Sequence, residues 1–308
     1  MSARGRFEAE LARLNAVALD PTAGDGPEVL SHALSARSNL LVARAAEIIG
    51  EWELGRYASE LAAAFDRFME DAAKIAIAET LNRLEVRDAD LFARGLRHVQ
   101  LEPVWGGSED TAARLRAICA LGLARSDPPE TLMALAGLLT DGEVDARIGA
   151  VRAIAYASRP GAAPLLWYKA HVGDPEPAVI YECFTALLAL EPEHALPFVA
   201  GRARDEQLAV AEAALLALGS SRRPDALPLL VAALDESVEI VYRRTALKSI
   251  AMLGSDDAFA CLLDLLANGT ESDSASALDA LALFREDERR QRKIERVLRR
   301  REASKPGQ

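Results

Sequence analysis

The sequence predicts an all-α protein, an α-solenoid of about eight two-helix repeats with a capping helix at each end. Three observations predict it. Two columns of small residues recur along the chain, an amphipathic apolar stripe precedes each recurrence, and no stretch alternates with period two over several strands.

The stretch RIGAVRAIAYAS (147–158) shows the columns most plainly, with Ala150 and Ala153 on one helical face. Sliding it along the chain gives Ala46, Ala78, Ala120, Ala153, Ala186, Ala214, Ser249 and Ala280 at the second position. The steps are 32, 42, 33, 33, 28, 35 and 31 residues. Three residues earlier the column reads Ala43, Ile75, Ala117, Ala150, Cys183, Ala211, Ala246 and Ala277. A period near 33 signals stacked supersecondary units. A two-helix unit cannot bury both faces alone, so it must be sandwiched between neighbours. Small residues let the second helices of adjacent units approach closely, where leucine would overpack at about 1–3 kcal/mol per site. Larger residues beside them, such as Ile154, Leu187, Leu215 and Ile250, fill the space between layers.

Each unit opens with a first helix. Leu61, Ala64, Phe65 and Phe68 share a face, as do Leu132, Leu135, Ala136 and Leu139. So do Leu227, Leu230, Val231 and Leu234, and Phe259, Leu262, Leu263 and Leu266, all at i, i+3, i+4, i+7 spacing. Pro128, Pro160, Pro192 and Pro224 are expected to start such helices, with Asp127 as a cap before one of them. Gly219 and Gly254, in ALGSS and MLGSD, read as residues just past helix ends.

The stretch 224–255, PDALPLLVAALDESVEIVYRRTALKSIAMLGS, resembles the short form of HEAT repeat, the type also found in phycobilisome lyases. The resemblance lies in the Pro-x-Ala-x-Pro-Leu-Leu opening, an acid between the helices, an Arg near the start of the second helix and a Leu-Gly ending. HALPFVA (194–200) and GAAPLL (161–166) echo it. It spans roughly residues 27–284. The resemblance implies a structural role for Arg114, Arg147 and Arg243, pairing with inter-helix acids such as Asp141 or Asp235. Residues 1–26 are then an N-terminal flanking helix and linker. Residues 285–308 form a basic capping helix with a tail frayed after about Ser304, its stripe being Ile294, Val297 and Leu298.

Composition bounds the function. The 308 residues carry 47 acids against 36 bases, a net charge of −11. That balance disfavours a general nucleic-acid or membrane-surface binder. Cys119, Cys183 and Cys261 are far apart and sit in apolar helical patterns, so they read as buried thiols in a reducing compartment. No apolar run approaches the ~20 residues of a membrane helix, and the first residues lack the apolar core of a signal peptide. A cytoplasmic protein is expected. Only five of the bases are lysine, a usage suggestive of a GC-rich bacterial genome.

Two segments are candidates for binding. The 42-residue step holds an excess in HVQLEPVWGGSED (98–110), and insertions in solenoids map to loops, often on a binding face. Trp105 is either a hot-spot anchor on that loop or a plug tucked over the solenoid edge, with Ser108 capping the next helix. One position before the small columns lie Lys74, Arg116, Arg152 and Lys248, with Glu182 and Asp279 in the same rows. They form either a basic strip on the concave face, suited to an acidic partner, or an ordinary solvated surface. Leu81, Leu123, Tyr156 and Met252 follow in the last helical turn. They line an apolar groove beside the strip or pack on the next unit.

No catalytic, cofactor or metal residues are expected. None of His32, His98, His171 and His194 is followed by Glu, the pairing by which HEAT-like deoxyhypusine hydroxylases hold iron. None has a second His one turn away. The expected function is a non-catalytic scaffold that binds a protein partner through the second-helix face and the 98–110 loop. Its candidate residues are Trp105, Lys74, Arg116, Arg152, Tyr156 and Lys248. Two alternatives stand beside it. One is a lyase-type or accessory protein holding a tetrapyrrole or another acidic small molecule between Arg116 and Arg152. The other is weak nucleic-acid binding through the strip and the tail.

Overall fold

The computed structural model describes residues 3–22, 24–67 and 71–304, which contain eighteen α-helices and one two-stranded hairpin. Phe68, expected on the apolar face of a first helix, and residues 305–308, expected to fray, lie outside the described residues. The chain divides into two compact units, Met1–Ala162 and Ala163–Gln308.

In the first unit, α1 (Ala3–Val17) is followed by four helix pairs. These are α2 (Gly26–Leu34) with α3 (Asn39–Glu51), α4 (Ala58–Phe65) with α5 (Asp71–Arg83), α6 (Ala89–Gly95) with α7 (Ala113–Ser126), and α8 (Thr131–Leu138) with α9 (Val144–Ala157). The second helices stack in order, α3 on α5 on α7 on α9, and each first helix packs on its own partner. Between α6 and α7 the chain makes the hairpin β1 (Leu101–Val104) and β2 (Gly107–Asp110). The all-α expectation therefore holds with one exception, the insertion at 98–110.

The second unit repeats the plan. It contains α10 (Ala162–Val172), whose first turn holds the boundary, then α11 (Pro177–Leu190), α12 (Pro192–Arg202), α13 (Leu208–Ser220) and α14 (Ala226–Glu236). After them come α15 (Ile240–Leu253), α16 (Asp256–Asn268), α17 (Glu271–Leu281) and α18 (Glu288–Ser304). Here α11, α13, α15 and α17 stack in turn, and α18 lies along α16. Among the described residues, helices pack substantially only on helices one or two places away in the chain.

The small-residue columns sit where these stacks need them. Every member of the second column, from Ala46 to Ala280, is buried, and so are Ala150, Cys183, Ala211, Ala246 and Ala277 of the first. Ala43, Ile75 and Ala117 are half-buried. Glycines mark the tightest crossings. A Cβ on Gly149 of α9 would stand 2.4 Å from the Cα of Ala117 in α7, and one on Gly219 of α13 would stand 2.5 Å from the Ser249 carbonyl oxygen in α15. Gly219 thus lies inside α13 because backbones meet there, not past the helix end as its sequence context suggests. Gly254, at φ +71, does end α15 in the left-handed region.

The helix starts also depart from expectation. Pro192 opens α12, but Pro128, Pro160 and Pro224 stand in the turns before α8, α10 and α14. Asp127 does not cap a helix start; at φ 56 it closes α7. The carbonyl of Pro128 accepts from the Thr131 amide and hydroxyl instead.

Two of the three arginines at helix starts donate to carbonyls of the preceding turn. Arg147 donates to the carbonyls of Asp141 and Gly142 at 2.9 Å each. Arg243 donates to those of Leu234 and Ser237 and pairs with Asp273 at 2.8 Å, not with Asp235. Arg114 is exposed and pairs with Glu79 at 2.7 Å.

The hairpin is held from below by Arg116. Its side chain is 4% exposed and pairs with Asp110 at 2.7 Å and Asp141 at 2.9 Å, while donating to the His98 carbonyl at 2.9 Å. Asp110 also accepts from the amides of Gln100 and Ala112, each at 3.1 Å. Burial alone would raise the Asp110 carboxyl, but these donors and the guanidinium outweigh it and hold the group below the usual carboxylate range. A lone two-stranded hairpin is marginal in water, so this clamp is what fixes it to the helical stack.

Gly149→Ala lowers the urea midpoint, because Ala117 backbone must move, whereas Gly137→Ala on exposed helix α8 raises stability by about 0.5–1 kcal/mol through helix propensity. Arg116→Met is destabilising by up to about 3 kcal/mol, because it leaves the half-buried carboxylates of Asp110 and Asp141 without their guanidinium. Asp110 and Asp273 both have depressed pKa values in the folded state. Their stabilisation is therefore complete above the unfolded value of about 3.9 and is lost as pH falls through the folded one. Urea midpoints are expected to fall below about pH 4, less steeply in Asp110→Asn than in the parent.

Candidate functional site

The hairpin and the exposed side of the second helices are the two surfaces that the sequence singles out. The strands pair from Leu101↔Asp110 to Val104↔Gly107, leaving Trp105 and Gly106 as the turn. Gly106 takes φ +91, a left-handed conformation that suits glycine. Trp105 is fully exposed, so it is no plug over a helical edge. Ser108 lies within β2 and caps nothing. Val99, Leu101 and Val104 are exposed with Trp105, giving the hairpin an apolar character along one stretch of backbone.

The expected basic strip does not form as a unit. Lys74 is 7% exposed; its Nζ donates to the Phe65 carbonyl at 2.8 Å and stands 4.3 Å from the centre of the Phe65 ring. It neutralises the C-terminal end of α4, and burial holds its pKa below the usual lysine value. Arg116 is the buried hairpin clamp. Only Arg152 and Lys248 are exposed, and Lys248 is in the second unit. The reason is geometric. Lys74 and Arg116 precede the first small column, while Arg152 and Lys248 precede the second. Three residues turn a helix by about 300°, enough to carry the first pair onto the packed side.

A groove nonetheless crosses the second helices of the first unit, with a volume of about 610 Å³. Ala117, Ile118 and Leu121 of α7 and Ile148 of α9 give it an apolar floor. Arg83, Arg114 and Arg152 stand at its rim with Glu79 and Asp145. Arg83 and Arg114 were not legible as groove residues: on α5 and α7 the open row lies one residue past the small column, not one before it. Tyr156, 52% exposed, sits one turn beyond Arg152 on α9, with the Arg125 guanidinium 5.9 Å from its ring centre. Arg125 in turn donates to the carbonyl of Asn82, another groove residue. Leu81 and Leu123 are buried and Met252 is half-buried, so they line no groove with Tyr156.

In the second unit Lys248 lines a separate cleft of about 700 Å³ between α15 and α17, with Val241, Arg244, Asp279 and Leu283 among its walls. The structure thus brings Arg152 and Tyr156 together, keeps Trp105 on its hairpin in the same unit, and withdraws Lys74 and Arg116. A ligand clamp made of Arg116 and Arg152 is overturned, because Arg116 is committed to Asp110 and Asp141. Among the described residues no group of three or more His, Cys, Asp or Glu could hold a metal ion. No helix among them is long and apolar enough to cross a membrane.

Comparison with known proteins adds a likeness over part of the chain. The HEAT-repeat family matches residues 167–251 and 209–282. No curated protein matches the chain. Among solved structures, the protein YibA of Escherichia coli is 16% identical, with the match covering 89% of this chain and 96% of that one at a TM-score of 0.49. The complex of CpcE and CpcF of phycocyanin lyase from Nostoc sp. PCC7120 is 19% identical, covering 90% and 94% at 0.36. Human deoxyhypusine hydroxylase is 20% identical, covering 82% and 91% at 0.32. The stacked helix pairs are those of a helical-repeat solenoid, and over residues 167–282 they are similar to HEAT repeats.

Proposed function

We propose that the chain is a non-catalytic scaffold that captures a protein partner through its first unit, with Trp105 as the anchor. The observation that carries this reading is a tryptophan wholly in water on a hairpin whose root is locked by a buried ion-pair cluster. Tryptophan is among the residues that most often dominate interface energetics. A preformed hairpin presents it without an ordering cost for the scaffold. The hairpin runs within a few residues into the first turn of α7, where Arg114 lines the groove. A partner gripping Trp105 therefore has the apolar floor and arginine rim within reach in the same unit.

The chemistry of the thiols agrees with a binding role. Burial pushes Cys119 and Cys183 up to about 12, far from the thiolate form that a nucleophile needs.

The test is photo-crosslinking from position 105 followed by titration of the purified partner. Trp105→Ala is expected to weaken capture by about 30-fold or more, the level of an interface hot spot. Trp105→Phe should recover part of the loss. Arg152→Glu should also weaken capture, while Tyr168→Ala, an exposed aromatic of the second unit, should not. Undiminished affinity in the Trp105→Ala, Arg152→Glu double variant, with helicity intact, would remove this face from consideration.

A further inference from the structure

Six of the seven arginines of the C-terminal helix α18 fall into two sets; the seventh, Arg289, is exposed near its start. Arg290 and Arg301 turn toward the body of the second unit. Arg290 donates to the Gly254 carbonyl at 3.1 Å, pairs with Asp256 at 3.0 Å and stands 4.6 Å from the centre of the Phe284 ring. Arg301 donates to the carbonyls of Leu266 at 2.7 Å and of Ala267 and Gly269 at 3.2 Å, where α16 leaves its last carbonyls without helical partners. With Ile294 buried between them, the two arginines hold α18 along α16.

Arg292, Arg296, Arg299 and Arg300 form the other set. All four are exposed, and with Glu295 they line a shallow cleft of about 410 Å³. The pairs Arg292–Glu288 and Arg299–Glu295, at 3.1 and 3.8 Å, are solvent-exposed i,i+4 contacts. Such exposed pairs contribute little to stability, so an incoming anion displaces them readily. The charge is also segregated. Residues 285–301 hold nine bases against four acids, while the rest of the chain holds 27 against 43. Screening acts over about 10 Å at 0.1 M salt, so this face presents its own positive field rather than the net charge of the protein.

We propose that this arginine face binds the phosphate backbone of a nucleic-acid duplex without reading its sequence. Positions 292 to 300 span about 12 Å of helix, the length over which one duplex strand presents about three to four phosphates. Guanidinium groups match phosphate oxygens in bidentate geometry. A membrane surface fits less well, since an interfacial helix inserts an apolar face. Here Ile294 is buried and Val297 and Leu298 are half-buried, leaving no exposed apolar side chain among the described residues of α18. A single strand fits less well because that exposed face carries no aromatic ring on which bases stack.

The test is fluorescence anisotropy of a labelled DNA duplex with the full chain across a salt series. With about four phosphates neutralised, affinity should fall by about 100-fold between 50 and 200 mM salt. The quadruple variant R292Q/R296Q/R299Q/R300Q should bind at least tenfold more weakly with a flattened salt dependence. Glutamine has a helix propensity close to that of arginine, so circular dichroism should be unchanged. R83Q/R114Q/R152Q, which removes charge from the first unit, should bind as the parent does. Three results would overturn the proposal: no binding at the lowest salt, parent-like binding by the quadruple variant, or capture of polyglutamate or anionic vesicles as tight as that of the duplex.

Discussion

The close approach of second-helix backbones is the constraint on which this protein rests. Where Gly149 meets Ala117, or Gly219 meets Ser249, there is no room for one more carbon atom without moving main chain. The alanine columns are the visible trace of that requirement. They set the spacing between layers, and the spacing decides which side chains on each helix are inside and which are out. Interiors packed to crystal-like density tolerate little change in volume, so the placement of every groove residue follows from these contacts.

Much of the fold was legible because this constraint is periodic. A small residue at a fixed interval, with an apolar stripe ahead of it, admits few architectures besides stacked helix pairs. The hairpin was not legible. Leu101–Val104 and Gly107–Asp110 are short, polar in part and pair only with each other, so they carry no alternation long enough to read. What makes them a hairpin is Arg116, a residue six positions beyond Asp110 in the next helix. That is a tertiary interaction without a local signature.

The candidate site was legible only in part, for the same kind of reason. A position on a helix is exposed or buried according to its rotation about the axis, and about 100° per residue leaves little margin. A single row taken for all the second helices puts Lys74 and Arg116 on a surface they do not reach, omits Arg83, and leaves Arg114 with a structural role alone. Arg152, Tyr156 and Trp105 are exposed as their positions suggest, because on α9 the row before the second small column does face outward and the hairpin is an insertion, which needs no phase at all. The arginines show a further limit. Arg147, Arg243 and Arg301 donate to carbonyls at helix ends and in the turns beside them, a role that looks like positive charge in a sequence and is hydrogen-bond supply in the structure.

Because among the described residues the helices pack substantially on those one or two places along the chain, contacts in both units are short-range in sequence. Chains of that kind need little loop closure before their contacts begin to reward them, and they fold quickly for their size. Stability in such arrays is approximately a sum of nearest-neighbour terms. Injury at one layer, such as a loosened Arg116 clamp, therefore stays near that layer instead of melting the whole, and surface loops like the hairpin are free to diversify while the rods beneath them stay the same.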